Sequence, residues 1–404
     1  MPTRALRASL LACALLLGAV TTGRAEFTPL SPAAEAQFEE GVLRLYSLDY
    51  ARAQAAFRRI IELEPDNPSG YFFEAGALWW QSSQEYGLFQ STPALQGLFE
   101  QDVEASLRKA DDYIDSKDPG KKAAGHFVSG MALGTRGQWN LMKRRYIAAY
   151  FDGKKSIKHL KKCLKIDEGF YDAYLGLGVF DYQAARFSGA IAKLGILFGM
   201  KGNEKRGLER IQLSVDKARY CSRQAAGFLA SIYISDMHDF SRALPVVQRL
   251  RRDFPSSPFY LFLELILRHR LGDWDGSLDL GRELYRTAAA DPVAFRPKWL
   301  TLFCGLSGSA CLDEEDSRRA LEWIDHALDK TRKEKPDGFR TLLRLFRGHC
   351  LELLGQREDA LKEYRLVATL PPFDDVRDRA KACLEEPCGR ESLLGSLKEM
   401  SRTR

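Results

Sequence analysis

The chain has 404 residues, of which 45% are hydrophobic and 28% charged, and its formal net charge is +6. That composition is ordinary for a soluble folded protein. The charge balance is not that of a nucleic-acid-binding protein, so no nucleic-acid partner is expected. Proline is scarce (16 residues), and β-branched runs alternating at period two are nearly absent, which favours helix.

The first 25 residues stand apart. Arg4 and Arg7 make a basic start, Ala8 to Val20 is a continuous apolar run, and Gly23 and Ala25 supply small residues before Glu26. This is the three-part layout of a secretory signal peptide over 1–25, and it implies export, to a periplasm, the inner face of an outer membrane, or the medium. The run is short for a bilayer span; a retained N-terminal anchor is the other reading. Cys13 leaves with the segment. Seven cysteines remain, an odd number, and several sit in apolar helical patterns as small buried residues. Cys383 and Cys388 are the pair expected to bond in an oxidising compartment.

Residues 26–388 read as a series of helix pairs, followed by a tail over 389–404. The first pair, Glu35 to Asn67, places Gly41 at a close contact, Tyr50 at the turn, Ala53 and Phe57 in the second helix and Pro65 at the end. A stretched second pair runs from Pro68 to Pro119. Its first helix carries Tyr71, Phe72, Phe73, Trp79 and Trp80, a polar link covers Gln81 to Gln96, and a charged helix runs from Glu100 to Ser116. Lys121 to Lys165 forms a third pair, with Gly134 and Gly137 loosening its first helix and Asp152-Gly153 breaking before the second. The fourth, Gly169 to Cys221, is interrupted by the apolar stretch Phe187 to Gly202, and its second helix resumes at Asn203.

From Gln224 to Ser277 the chain overlays itself at an offset of 34 residues: Phe240 on Trp274, His238 on Gly272, Ala243 on Ser277. A fixed period of that length with two helices per unit is the mark of a stacked helical repeat. A seventh pair spans Phe295 to Lys335, with Ala320, Ile324 and Ala327 in its second helix. An eighth, regular pair spans Arg340 to Leu370, and Asp374 to Leu384 reads as a polar capping helix.

These spacings resemble the tetratricopeptide repeat family, strongly over 34–67, 224–291 and 341–374, and with insertions through the enlarged units 68–221. The resemblance implies an all-α, right-handed superhelical solenoid of about eight antiparallel helix pairs. It also implies a concave wall lined by the first helix of each unit. That wall reads Glu35, Phe38, Val42, Leu45 and Tyr46 in the first unit. It reads Ala225, Phe228, Ile232, Ser235 and Asp236 in the fifth, and Leu342, Leu345, His349, Glu352 and Leu353 in the eighth. The mostly apolar wall suits a helix of a partner, or a neighbouring segment of the protein itself.

Three patches are candidates for binding. The first is basic: Lys154, Lys158, Lys161 and Lys165 share a helix face. That face is either a dock for an anionic partner, including peripheral contact with lipid headgroups, or a brace against the acidic helix of the preceding unit. The second is aromatic, with Trp79 and Trp80 either anchoring a partner or filling the core. The third is the apolar insert Phe187 to Met200, including Phe198, which either packs on the solenoid or faces a ligand or membrane.

Chemistry has no comparable signature. No H-E-x-x-H, C-x-x-C or Cys/His zinc spacing occurs, Gly305 to Ser309 misses the nucleophile elbow, and Pro119 to Lys122 is not a phosphate loop. No cofactor, metal or catalytic residue is expected. The sequence therefore points to a non-enzymatic scaffold that binds proteins in the cell envelope. The alternative is a lipid- or glycan-binding protein with a pocket in 68–202.

Overall fold

The computed structural model describes residues 30–85, 92–186, 202–290, 314–333, 338–370 and 376–388. The expected signal segment, the insert with Phe198, the first helix of the seventh pair and the C-terminal tail lie outside these residues. Among the described residues there is helix and connecting turn, and no strand. In chain order the helices are α1 (Pro32–Tyr46), α2 (Tyr50–Leu63), α3 (Pro68–Glu85), α4 (Pro93–Ile114), α5 (Pro119–Met142), α6 (Tyr146–Ile166), α7 (Ala173–Arg186) and α8 (Glu204–Lys217). They continue with α9 (Ser222–Ser231), α10 (Phe240–Asp253), α11 (Pro258–Arg270), α12 (Trp274–Ala290), α13 (Glu314–Lys330), α14 (Gly338–Leu353), α15 (Arg357–Thr369) and α16 (Val376–Glu385). A single π-turn, Ile232–Asp236, extends α9. Consecutive packed helices joined by such short links must run antiparallel, so the fold is the expected all-α series of helix pairs.

The turns have one shared device. The described residues with left-handed φ are Leu48, Arg144, His238, Gly272 and Gly355. Each stands two residues before the second helix of a pair. His238 and Gly272, paired by the 34-residue offset, thus share a backbone conformation. Only glycine adopts it without strain, and Gly272 and Gly355 are where the chain supplies one. Proline supplies the starts: α1, α3, α4, α5 and α11 all open on one, where its missing N–H costs nothing.

Inside the pairs, small residues let the helices approach. A Cβ on Gly41 would come within 2.5 Å of Phe57, and one on Gly130 within 2.6 Å of Leu160. Ala243 and Ser277, the offset pair, are both fully buried, and the Ser277 hydroxyl donates to the Leu265 carbonyl at 3.1 Å.

The chain falls into two compact units. The first holds residues 1–35, 60–75 and 100–220. Its core includes Phe127, Trp139, Leu160, Cys163, Tyr182 and Ile211, with Phe127 and Phe170 ring to ring at 4.9 Å. Buried Asp181 accepts from Arg206 and Arg210 and ties α7 to α8. The second unit holds 36–59, 76–99 and 221–404. Leu261, Leu265, Leu284, Trp323, Phe346 and Tyr364 belong to its main core. The expected cap, α16, buries Val376, Ala380 and Cys383. Cys383 and Cys388 are joined by a disulfide, while Cys163, Cys221 and Cys350 are buried thiols.

Three sequence expectations need correction. Asp152-Gly153 does not break the third pair; α6 runs through it from Tyr146 to Ile166, and the turn lies at Lys143–Arg145. Asp152 stays helical because its carboxylate is engaged: Arg136 donates to it twice, at 2.6 and 3.0 Å, and Asn140 once, at 3.0 Å. Gly134 and Gly137 do not loosen α5, which is continuous for 24 residues; they face Ser156 and the Ala149 carbonyl on α6. The polar link is also shorter than expected, because α3 reaches Glu85 and α4 starts at Pro93.

Candidate functional site: a basic helix face

The third helix pair builds the site. α5 and α6 pack through Gly130 on Leu160 and Gly134 on Ser156. The Asp152 carboxylate, 6% exposed, bolts the start of α6 to Arg136 and Asn140 of α5. The hydrogen bond to that carboxylate raises the Arg136 guanidinium above its ordinary value, against the opposing effect of burial. The single acidic residue of this stretch is therefore an internal fastener, and the outer face of α6 is left to cations.

On that outer face Lys154, Lys155, Lys158, Lys161, Lys162 and Lys165 are all exposed. Helical spacing puts two apolar residues on the same stripe, Ile147 at 77% and Phe151 at 54% exposed. The stripe from Ile147 to Lys165 is about 27 Å long at the usual rise of about 1.5 Å per residue. The brace expected from the acidic helix does not form. Among the described residues, none of these lysines makes an ion pair; α4 packs on α5, where Gly125 faces Ala110 and Tyr113, and its Glu100 lies 3.9 Å from Arg145 at the start of α6. The charges face outward because α6 spends its buried side on Ser156, Leu160 and Cys163.

Two histidines lie under the edge of the stripe. His126 Nδ1 and His159 Nδ1 are 3.2 Å apart, so one ring donates and the other accepts. Burial, reinforced by His159, Lys162 and Lys122, pushes His126 down to about 4. Burial and Lys162 also lower His159, with Asp111 of α4 acting the other way. Burial, with the field of the lysines added to it, thus keeps both imidazoles neutral near pH 7.

The other candidates behave differently. Trp79 and Trp80 are half-buried in the second unit. The Trp80 ring sits edge-on to Tyr46 at 5.3 Å and to Phe259 at 6.0 Å, so it fills core space. The Trp79 indole Nε1 has no hydrogen-bond partner among the described residues. Phe198 lies outside the described residues, as do 86–91 and 187–201 of the stretch 68–202 in which a pocket is expected.

The expected first-helix walls are not open. Phe38, Val42 and Tyr46 are buried, as are Leu342, Leu345 and His349. The chain itself occupies the first unit's wall. The Tyr46 ring packs on Phe254 and Tyr260, and its carbonyl accepts from Ser257 at 2.5 Å. Arg223 pairs with Glu39 at 2.7 Å, and Arg219 with Glu35 at 3.1 Å. Only in the fifth unit do Ser235 and Asp236 remain exposed. The repeat register carried no signal for this filling, because it depends on residues some 200 positions apart. Ile147 and Phe151 were also missed; in sequence they look like any buried helix face.

Residues 38–84 and 235–292 match the tetratricopeptide repeat model. No curated protein matches the chain. Among solved structures, a human IFIT1 dimer with m7Gppp-AAAA is similar at 16% identity and a TM-score of 0.32, covering 83% of this chain and 71% of that one. Yeast Tom70 is similar at 12% identity and 0.26, covering 93% and 86%, and the TPR domain of P58(IPK) at 14% and 0.21, covering 92% and 99%. The fold is an all-α array of tetratricopeptide-like helix pairs, and two stretches amounting to about a quarter of the chain are recognisably similar to that repeat by sequence.

Proposed function

We propose that this chain is an exported, non-enzymatic scaffold of the cell envelope that captures a protein partner through the outer face of α6. The partner segment is acidic and carries an apolar residue near one end. The reading rests on one observation: six exposed lysines without ion-pair partners among the described residues, in line with exposed Ile147 and Phe151. Desolvating such an apolar tip supplies binding energy, while the lysines steer and orient the approach.

A narrow segment suits the face better than a flat anionic membrane. Exposed Asp111, Asp112 and Asp115 of α4 belong to the same unit, and Asp111 lies close enough to His159 to act on it. A carboxylate that near the lysine face opposes a broad anionic surface more than a narrow acidic segment that can keep to the lysines. No described helix is long and apolar enough to cross a membrane.

Two measurements test the reading. Fractionation of the full-length chain should recover it outside the cytosol, and cytosolic retention contradicts the address. Titration with a labelled acidic peptide and with vesicles rich in anionic lipid should favour the peptide. Preference for the vesicles would replace the protein partner with a membrane surface.

A further inference from the structure

The fold brings together three side chains that no sequence spacing links. Cys383, in the last turn of α16, and Cys388, three residues past its end, form the disulfide. His349 of α14 reaches the pair from the neighbouring helix, with Nε2 3.7 Å from Cys383 Sγ. One ligand atom from each of the three lies within 4.8 Å of the others.

The imidazole is an odd choice for packing alone. His349 is 3% exposed, between the rings of Phe346 at 6.1 Å and Tyr364 at 5.8 Å. Its Nδ1 has no hydrogen-bond partner among the described residues. Leaving a buried polar atom unsatisfied carries its full desolvation cost, which an apolar residue in the same place would avoid. What the imidazole gains is proximity to sulfur.

The spacing fits ligation. With Zn–S near 2.3 Å and Zn–N near 2.0–2.1 Å, the sulfur–nitrogen edge of a tetrahedral site is about 3.6 Å. The observed 3.7 Å separation matches that edge. Cys388 follows the last helical residue, Glu385. Once released, its thiol can swing to the sulfur–sulfur edge of about 3.8 Å without disturbing α16.

We propose that His349, Cys383 and Cys388 form a three-ligand site for a thiophilic divalent cation such as Zn2+, available only when the disulfide is reduced. A dithiol reductant gives two electrons and two protons, the S–S bond opens to two thiols, and the reductant leaves as its own disulfide. The cation then displaces the two thiol protons and binds two thiolates and one neutral imidazole. The two thiolates cancel its charge, and water takes the fourth position. Disulfide and metal are therefore alternative closures of the same cap.

The test uses full-length protein, reduced with a phosphine and titrated with Co2+. Reduced wild type should take up one Co2+ with a thiolate-to-cobalt charge-transfer band, displaced by Zn2+, while oxidised protein should show no band. Cys388→Ser and His349→Gln should each weaken binding at least tenfold. A reduced wild type without the band overturns the proposal, as does a Cys383→Ser/Cys388→Ser protein that keeps it. If His349→Gln fails to fold, the Cys388→Ser result decides, since Cys388 lies outside the helix.

Discussion

Gly41 offers a sharp test of how the helix pairs hold together. Replacing it with alanine puts a Cβ 2.5 Å from Phe57 Cε1 and 2.8 Å from Cδ1 and Cζ, where carbon contacts normally sit at about 3.5–4.0 Å. The Phe57 ring is buried and cannot swing into solvent. Overpacking of this kind costs about 1–3 kcal/mol, and the deep overlap places it near the upper end. Alanine returns about 1 kcal/mol of helix propensity, leaving a net loss of about 2 kcal/mol. Two other glycines separate the causes. Gly153 in α6 has open space around it, so Gly153→Ala should gain up to about 1 kcal/mol. Gly272 also has open space but a φ of +77°, so Gly272→Ala should lose about 1–2 kcal/mol from backbone strain alone. Urea unfolding followed by circular dichroism gives the order: Gly153→Ala above wild type, wild type above the other two. A Gly41→Ala protein as stable as wild type, or a destabilised Gly153→Ala protein, would refute this packing scheme.

Further outcomes follow from the buried charges and the histidines. Asp152→Ala removes the carboxylate shared by Arg136 and Asn140 and leaves a half-buried guanidinium unpaired; it should cost about 2–4 kcal/mol, read as a lower unfolding midpoint, with Asp152→Asn losing less. Glu264→Ala should cost a similar amount. Burial pushes the Glu264 carboxyl up, but hydrogen bonds from Arg251 and Arg268 outweigh it and hold the group below its ordinary value. Stability should also fall on acidification. His126 binds its proton in the unfolded chain near pH 6.5 but in the fold only near 4. Stability is thus complete above about 6.5 and lost as pH drops towards 4, by about 2 kcal/mol after allowing for solvent screening. His126→Gln should flatten that part of the pH profile, and an unchanged slope would remove His126 as its source.

Local features of this fold were legible in the sequence because they are local in cause. The 34-residue offset finds Phe240 and Trp274 as helix starts, and Ala243 and Ser277 as contact points, since each answers to the same packing demand. Asp152-Gly153 misled, because a dipeptide that usually ends helices is overruled here by Arg136 and Asn140. The lysine face was readable from its spacing. Its freedom from α4 was not, because whether two charged helices pair depends on their placement in the fold. The filling of the first unit's wall by Phe254, Ser257 and Tyr260, and the meeting of His349 with Cys383, are likewise products of tertiary approach.

The central claim is that the outer face of α6 is the docking surface, and charge reversal tests it most directly. The variant Lys154→Glu/Lys158→Glu/Lys161→Glu/Lys165→Glu is compared with wild type for binding a labelled acidic peptide at low and physiological salt. All four positions are exposed and without ion-pair partners among the described residues, so the helical circular dichroism should be unchanged. Affinity should fall at least tenfold, and the salt dependence of binding should go with it. Undiminished binding by a folded variant would contradict the account.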